Sequence, residues 1–348
     1  MTTAIEIKPS KPWKASNRER IVDFALVVLA VATTMGIVEL TELRGKLAYF
    51  TVFFATLAIV NLIKGTVTRD LMIGKDQFFS ALMLLGMTLV LLPTASILYK
   101  VFIEGKKGLH AGLLTNDMSL STPSDPITNG GLLHAIIGTF LLVLVALLIS
   151  LPLGILTSLY LTEIRGRFTR PIRFLVQAMS GVPSIVAGLF ILSSIVFTIT
   201  KSYSGLVGSL SLSILMIPTI ARTSEEVLNL IPNDLREAGV SLGGTQWRTV
   251  AMVVVPAARS GLMTALILGI ARIVGETAPI LLLTGGGDKV NFDPVSGAMG
   301  SLPFYIWKSF LLGTEQSIAR GWAWLLVLLV LVLLLFTLAR IFGSRRMR

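Results

Sequence analysis

Apolar residues in this chain come in long unbroken runs, not in the three-or-four spacing of an amphipathic helix or the alternation of a half-buried strand. A helix needs about 20 such residues to cross a hydrocarbon core. Eight runs qualify, at 21–40, 46–64, 77–101, 132–160, 174–199, 205–222, 257–284 and 321–343. The last is the most sharply bounded. Trp322 and Trp324 precede the run Leu325–Phe336, and Arg340, Arg345, Arg346 and Arg348 follow it, which reads as an aromatic belt on one side and basic anchors on the other. The first two runs carry Asp23, Glu39 and Asn61 at or near their ends and form a hairpin with a short turn. No small-x-small cleavage site closes the first run, so a cleaved leader is not expected there. The expected organisation is an N-terminal tail over 1–20, a two-helix transmembrane hairpin over 21–70, and a main transmembrane domain over 77–346 with a polar loop at 223–256.

Composition agrees with an all-α polytopic membrane protein. Of 348 residues, 53% are hydrophobic and 14% charged, with mean hydropathy +0.81, which excludes an ordinary water-soluble domain. Thirty Lys and Arg against nineteen Asp and Glu give +11. In a soluble protein that excess would suggest nucleic acid; in a membrane protein it marks cytoplasmic loops facing anionic lipid, and no nucleic-acid partner is expected. With eight spans and both termini cytoplasmic, twenty basic residues fall inside and nine outside, leaving Arg272 alone within a span. The reverse orientation violates the positive-inside rule. The absence of cysteine excludes thiol chemistry, and His110 and His134 are too few for a metal site, so no cofactor or metal is expected. Two long outer segments remain, 102–131 with the turn-rich stretch Ser121–Pro126, and 285–320. Gly285-Gly286-Gly287 lacks the following Lys-Ser/Thr of a phosphate loop and reads as a flexible connector. Neither Gly-x-Ser-x-Gly nor His-Glu-x-x-His occurs, and no catalytic apparatus is evident.

Between Arg222 and Pro256 the hydropathy breaks for too long to be a tight turn. Ser224, followed by Glu225 and Glu226, has the pattern of a helix start. Pro232, Asn233 and Asp234 begin a second short helix, Leu235–Leu242, which Gly243-Gly244 ends, and Thr245 caps a third stretch running toward Pro256. Ala238 and Gly239 beside Glu237 allow another surface to approach closely, and Leu235 and Leu242 lie one heptad apart. Two readings follow from amphipathicity: a pair of short helices inserting into a partner's groove, or a loop resting on lipid headgroups.

The residues themselves go further. Glu237-Ala238-Gly239, then Gly243, then Val253-x-Val255-Pro256 resemble the Glu-Ala-Ala loop of ATP-binding-cassette importer permeases, with Gly239, Val253 and Val255 as departures. The resemblance implies that a partner ATPase receives Glu237, Ala238, Gly239 and Gly243, with Pro256 closing the motif.

Inside the seventh run stands Ala271-Arg272-Ile-Val-Gly275-Glu276-Thr-Ala-Pro279. Arg272 and Glu276, four apart, share one face if the helix is continuous, and Pro279 invites a kink. A charge at this depth is costly, so the pair either fixes the helix rotation or marks a transport path. For an oxyanion, Arg272 offers a planar two-bond fork, while Glu276 competes for the same guanidinium and prevents overtight binding. This stretch resembles the signature of the A-type permeases of phosphate-specific (Pst) ABC importers. Leu235–Ala238, Gly181-Val-Pro183-Ser-Ile-Val-Ala-Gly188, Gly131 through Thr139 and Ile217–Thr223 match in the same order, over roughly 77–346.

That family implies a type I ABC importer permease (MetI-like) bundle in the bacterial cytoplasmic membrane. Its partners would be a homologous C-type permease, two copies of an ATP-binding subunit and an extracytoplasmic phosphate-binding protein. The resemblance assigns Arg272, Glu276 and Arg222 to phosphate passage, and Pro183, Gly275 and Pro279 are the expected helix hinges. Family members have about six spans, so the 21–70 hairpin is an addition, expected to contact lipid or a partner. A permease for sulfate or molybdate stays open, because one Arg–Glu pair does not choose among tetrahedral anions. A secondary transporter would show repeated halves or several buried charges, which are not evident.

Overall fold

The computed structural model describes residues 17–41, 45–68, 70–122 and 125–344. The tail ahead of residue 17, Arg44, Arg69, Pro123, Ser124 and the basic anchors Arg345, Arg346 and Arg348 lie outside the described residues. The chain divides into two compact units, Met1–Leu98 and Tyr99–Arg348.

In the first unit, α1 (Asn17–Leu40) and α2 (Lys46–Thr68) form an antiparallel hairpin that leads into α3 (Leu71–Gly105). Ala30, Phe54 and Leu57 make its small core, with Leu85 of α3 against them. Lys64 pairs with Asp23 across the hairpin, so two charges within apolar helices neutralise each other. A Cβ on Gly65 would fall 2.5 Å from the Gly74 Cα, which is why α2 and α3 can touch there. Thr34, Thr56, Thr66 and Thr88 each donate to the carbonyl four residues back. Hydrocarbon offers no water, so the helix satisfies these hydroxyls itself.

The second unit continues through α4 (Leu133–Leu159), α5 (Thr169–Ser180), α6 (Ser184–Ile191), α7 (Gly205–Asn229), α8 (Asn233–Ser241), α9 (Gln246–Thr249), α10 (Val255–Val274), α11 (Ala278–Leu283), α12 (Leu302–Leu312) and α13 (Glu315–Ser344). Wider π-helical turns extend α4 to Ile164 and α6 to Thr200, and join α9 to α10. Among the described residues there is no strand, only an isolated bridge between Gly285 and Met299. The all-α polytopic class expected from the runs is the observed one.

Its centre is the seam between α4 and α7. Ser209 donates to the Leu142 carbonyl at 3.1 Å, and Ser213 to that of Ala146 at 3.4 Å. Further along, a Cβ on Gly154 would fall 2.7 Å from the Ile220 side chain. Small residues let the backbones approach and let hydroxyls bond across helices, as membrane interiors favour. The contacts advance in the same direction on both helices, so α4 and α7 run parallel. The chain between them must therefore cross back.

The return crossing differs from the expected span 174–199. It is two helices, α5 and Ser184–Thr200, meeting at 105°. Gly181 ends α5, and Pro183, with ψ 138, starts α6. Proline lacks the amide a continuing helix needs and pushes its predecessor out of helical geometry. Among the described residues, seven helices are long and apolar enough to cross a membrane. Ser184–Thr200 passes the same test only together with α5, and that bent pair makes the eighth crossing which the parallel α4 and α7 require.

Four other expectations change. Ser224 does not start a helix: α7 runs through it to Asn229, and Ser224 is fully buried. Helix α9, the π turn and α10 form one rod, Gln246–Val274, so the stretch outside the long helices shortens to 230–245. Trp324 is not an interfacial belt residue; it is buried edge-on against Tyr305. Gly285 and Gly286, at φ +69 and +61, form a turn bridged to Met299, so this connector is tied down.

The outer segments are likewise tied together. Arg320, one of the nine basic residues placed outside, is buried and donates to the carbonyls of Thr122, Pro126 and Asn129 at 2.7–3.0 Å. Asp288 accepts from Tyr305 and Lys308, and its carbonyl accepts from Met118. Asp117 accepts from the Val290 amide, and its bond from the Ser119 hydroxyl holds its carboxyl below the usual range.

The natural absence of cysteine makes the return crossing easy to test. Phe168→Cys and Ser202→Cys, made singly, should react with a membrane-impermeant thiol reagent from opposite faces of oriented vesicles. Labelling of both from one face would remove the eighth crossing.

Candidate functional site

Two sets of polar residues interrupt this apolar bundle, one at a break in the long helix and one at the α8 end. Helix α10 stops at Val274, Gly275 caps it, and α11 begins at Ala278 with Pro279 in its first turn. Arg272 and Glu276 form their ion pair across this break and not along a continuous helix. The Arg272 side chain is 44% exposed and that of Glu276 12%. The acid is thus set into the protein while the guanidinium reaches its surface. Pro279 is held from behind by α6: a Cβ on Gly188 would fall 2.9 Å from the Pro279 Cα. The broken helices α5–α6 and α10–α11 therefore meet through the two sequence stretches that contain their prolines.

Arg222 belongs to a different depth. It reaches Ser180 at the end of α5 at 3.4 Å. Gly269 packs on Ile220 and Gly261 on Val227, so α7 and α10 are antiparallel. By that register Arg222 lies about 9 Å nearer the α8 end than Arg272. The structure brings Arg272 and Glu276 together and leaves Arg222 apart from both. Of the three hinge residues expected, Pro183 and Gly275 stand at actual breaks, and Pro279 lies just past the second.

At the α8 end, Pro232 precedes α8 and Gly243, at φ +83, follows it. Thr245 caps α9 by accepting from the Arg248 amide. These three features follow the sequence expectation. Gly239 is required by contact, because a Cβ there would lie 2.5 Å from Thr249. Glu237 and Ala238 are exposed, and Pro256 sits in the first turn of α10 just after the π turn that accommodates it. Leu230, Leu242 and Trp247 are also exposed here, at 81%, 90% and 61%.

What holds α8 in place was missed in the sequence. Arg236 donates to both carboxylate oxygens of Glu163, at 2.8–3.2 Å, and to the carbonyls of Leu228 and Ile231 at 2.9 and 2.6 Å. Gln246 donates to the Glu163 carbonyl at 2.6 Å. One guanidinium thereby joins α8 to the ends of α4 and α7. The Glu163 side chain is 6% exposed and that of Arg236 21%. Hydrogen bonding to Glu163 pushes the guanidinium further above its ordinary pKa, so the cation is permanent. Beside it lies a cleft of 750 Å³ lined by Glu163, Arg236, Glu237 and Gln246. The only signal in the sequence was a lone acid at the polar end of an apolar run, which has no visible partner until the helices are assembled.

Removing Arg236 leaves a nearly buried carboxylate and two helix-end carbonyls without their donor. Charge-assisted hydrogen bonds contribute about 1.5–3 kcal/mol each. In Arg236→Ala, amides of 233–249 should exchange hydrogen at least about tenfold faster than in wild type, with those of the α4–α7 seam little changed. Unchanged exchange across 233–249 would show that α8 is held by something else.

Residues 150–348, more than half of the chain, match the family model described as "binding-protein-dependent transport system inner membrane component". Among curated relatives, the phosphate transport system permease protein PstA of Pasteurella multocida is 41% identical over 69% of this chain and 85% of its own. PstA 1 of Mycobacterium tuberculosis H37Rv is 34% identical over 79% and 90%. PstA of Haemophilus influenzae is 37% identical over 69% and 84%. Among solved structures, a chain of the inward-facing MetNI methionine ABC transporter aligns at TM-score 0.46 and 22% identity, over 60% of this chain and 88% of that one. The matched region contains both polar sites, and its family membership rests on the sequence match. This chain belongs to the family of inner membrane components of binding-protein-dependent transport systems.

Proposed function

We propose that the chain is the permease subunit of an ATP-driven importer that carries inorganic phosphate across the bacterial cytoplasmic membrane. The carrying observation is the 41% identity to a protein named as a phosphate transport permease, across 85% of that protein's length. The type I fold and a multi-pass membrane location belong to the same reading. The α8 end is cytoplasmic, as are both termini, which the twenty-to-nine distribution of basic residues favours.

In this reading Arg272 and Glu276 gate the anion. Phosphate offers two oxygens to the Arg272 fork and displaces the Glu276 carboxylate from it. When phosphate leaves, the carboxylate returns and the site closes. A conducting site must bind well enough to admit its ion and weakly enough to release it, and an internal competitor supplies the second condition. The exposed side of Arg272 faces the surface that a homologous second permease would cover, so the pathway runs between the two subunits. Arg222, about 9 Å further along the helix axes, offers a later contact on the way in.

ATP hydrolysis lies in a partner. Two ATP-binding subunits, one for each permease, receive the α8 surface, with Glu237 and the exposed Leu230, Leu242 and Trp247 making the contact. The Arg236–Glu163 clamp passes movement of α8 to α4 and α7. The tied outer segments receive the extracytoplasmic phosphate-binding protein.

Arg272→Ala and Glu276→Gln should each lower uptake of radiolabelled phosphate at least about tenfold, the cost of one charge-assisted contact, while the complex still co-purifies. Normal uptake by both would remove the gating role. Glu237→Lys should abolish ATPase co-purification or uncouple hydrolysis from uptake; unaltered association and transport would leave the loop as a lipid-resting segment. In the reconstituted complex with its binding protein, ATP hydrolysis should rise with phosphate. A rise with sulfate or molybdate instead would correct the substrate.

A further inference from the structure

The turn from α4 into α5 encloses a second cleft, 650 Å³, which the transport reading does not use. Arg165, Arg167, Arg170 and Arg173 line it with Asn229, and no carboxylate is among its lining residues. Glu225 pairs with Arg173 at 2.6 Å. Arg165 donates to the Thr162 carbonyl at 2.8 Å, and Arg167 lies 4.7 Å from the Phe168 ring centre. Among the described residues, neither these two guanidiniums nor that of Arg170 has a carboxylate partner. Three cations around one concavity repel one another and raise the local concentration of an anion that would relieve them.

The helix beside the cleft identifies the anion's source. Helix α5 has three faces: Ile172, Val176 and Met179 turn inward, Arg170, Arg173 and Gln177 form a polar stripe, and Pro171, Phe174, Leu175 and Ala178 are exposed. Helix α5 stands at 105° to Ser184–Thr200, so with that segment crossing the membrane α5 runs near its plane. Its apolar face can sit at the acyl boundary while its arginines stand at headgroup depth. A site for free phosphate needs no apolar flank. Here Phe174 is 73% exposed and Leu175 57%, next to the basic stripe.

We propose that this cleft binds the phosphate group of an anionic phospholipid, its acyl chains running along the apolar face of α5. The lipid wedges the elbow between α4 and α6 and fixes the angle at which the return crossing begins. This holds whatever anion the importer carries.

The test uses the full chain in detergent micelles containing equal phosphatidylglycerol and phosphatidylcholine, read by native mass spectrometry. Wild type should retain phosphatidylglycerol preferentially. Each cation near a lipid surface is worth about fivefold, so Arg167→Gln with Arg170→Gln should cut the preference about 25-fold. Arg259→Gln, an exposed cation elsewhere on the same unit, should keep it. An unchanged preference in the double variant overturns the proposal. So does release of the lipid by millimolar inorganic phosphate, which would make this a free-anion site, or release on adding the ATPase subunit, which would make it a protein-docking surface.

Discussion

The parallel seam between α4 and α7 is the constraint on which the second unit depends. Two parallel membrane helices joined by a chain of some forty residues force that chain to cross back, and Ser209, Ser213 and Gly154 are what allow the seam to close. The return must begin where α4 ends. The Gly181–Pro183 break turns α5 almost at right angles before the crossing starts. The elbow, its basic cleft and the seat for α8 all follow from that geometry. The cleft beside α8 and the basic cleft share Arg165, whose left-handed backbone, φ 50, ends the extension of α4.

Much of this was legible in the chain itself, and the reasons are local. Pro232, Gly243 and Thr245 punctuate the polar excursion because proline, a left-handed glycine and a capping hydroxyl act through their nearest neighbours. Apolar runs give the spans because the bilayer sets a length. The misread residues are those whose meaning is tertiary. Ser224 has the pattern of a cap, yet it lies within a helix that α10 and α4 bury. Trp324 looks like a belt residue until Tyr305 is placed against it. Arg320 was only one of nine outside cations, but it holds three loop carbonyls. Arg236 stood inside a motif with no role assigned, since its partner Glu163 is 73 positions away.

The net charge of +11 looks different after this division of labour. Counted as a whole it is an address, twenty residues on one side against nine. Resolved by residue it contains a structural clamp (Arg236), a loop clamp (Arg320), a cluster with no acid among it (Arg165, Arg167 and Arg170) and one guanidinium at a helix break (Arg272).

Of the three Arg–Glu pairs among the described residues, Arg236–Glu163 and Arg272–Glu276 make the sharpest contrast. In the Arg236–Glu163 pair the carboxylate is nearly sealed, both of its oxygens are bonded, and the guanidinium also donates to the carbonyls of Leu228 and Ile231 and to the Asn233 side chain. Breaking it strands a buried charge, which makes it a rigid joint between α8 and the ends of α4 and α7. In the Arg272–Glu276 pair the acid is mostly sheltered but the guanidinium is 44% exposed, and the pair spans a helix break instead of a packed seam. The open side of this guanidinium leaves room for a second anion, and in the proposed gating that anion replaces the carboxylate without leaving the cation bare. On the proposed function, the same two residue types serve as a fixed strut where the donors are used and as an exchangeable contact where one face stays open. An importer needs both, because force from ATP hydrolysis has to travel through something that does not yield to reach something that does.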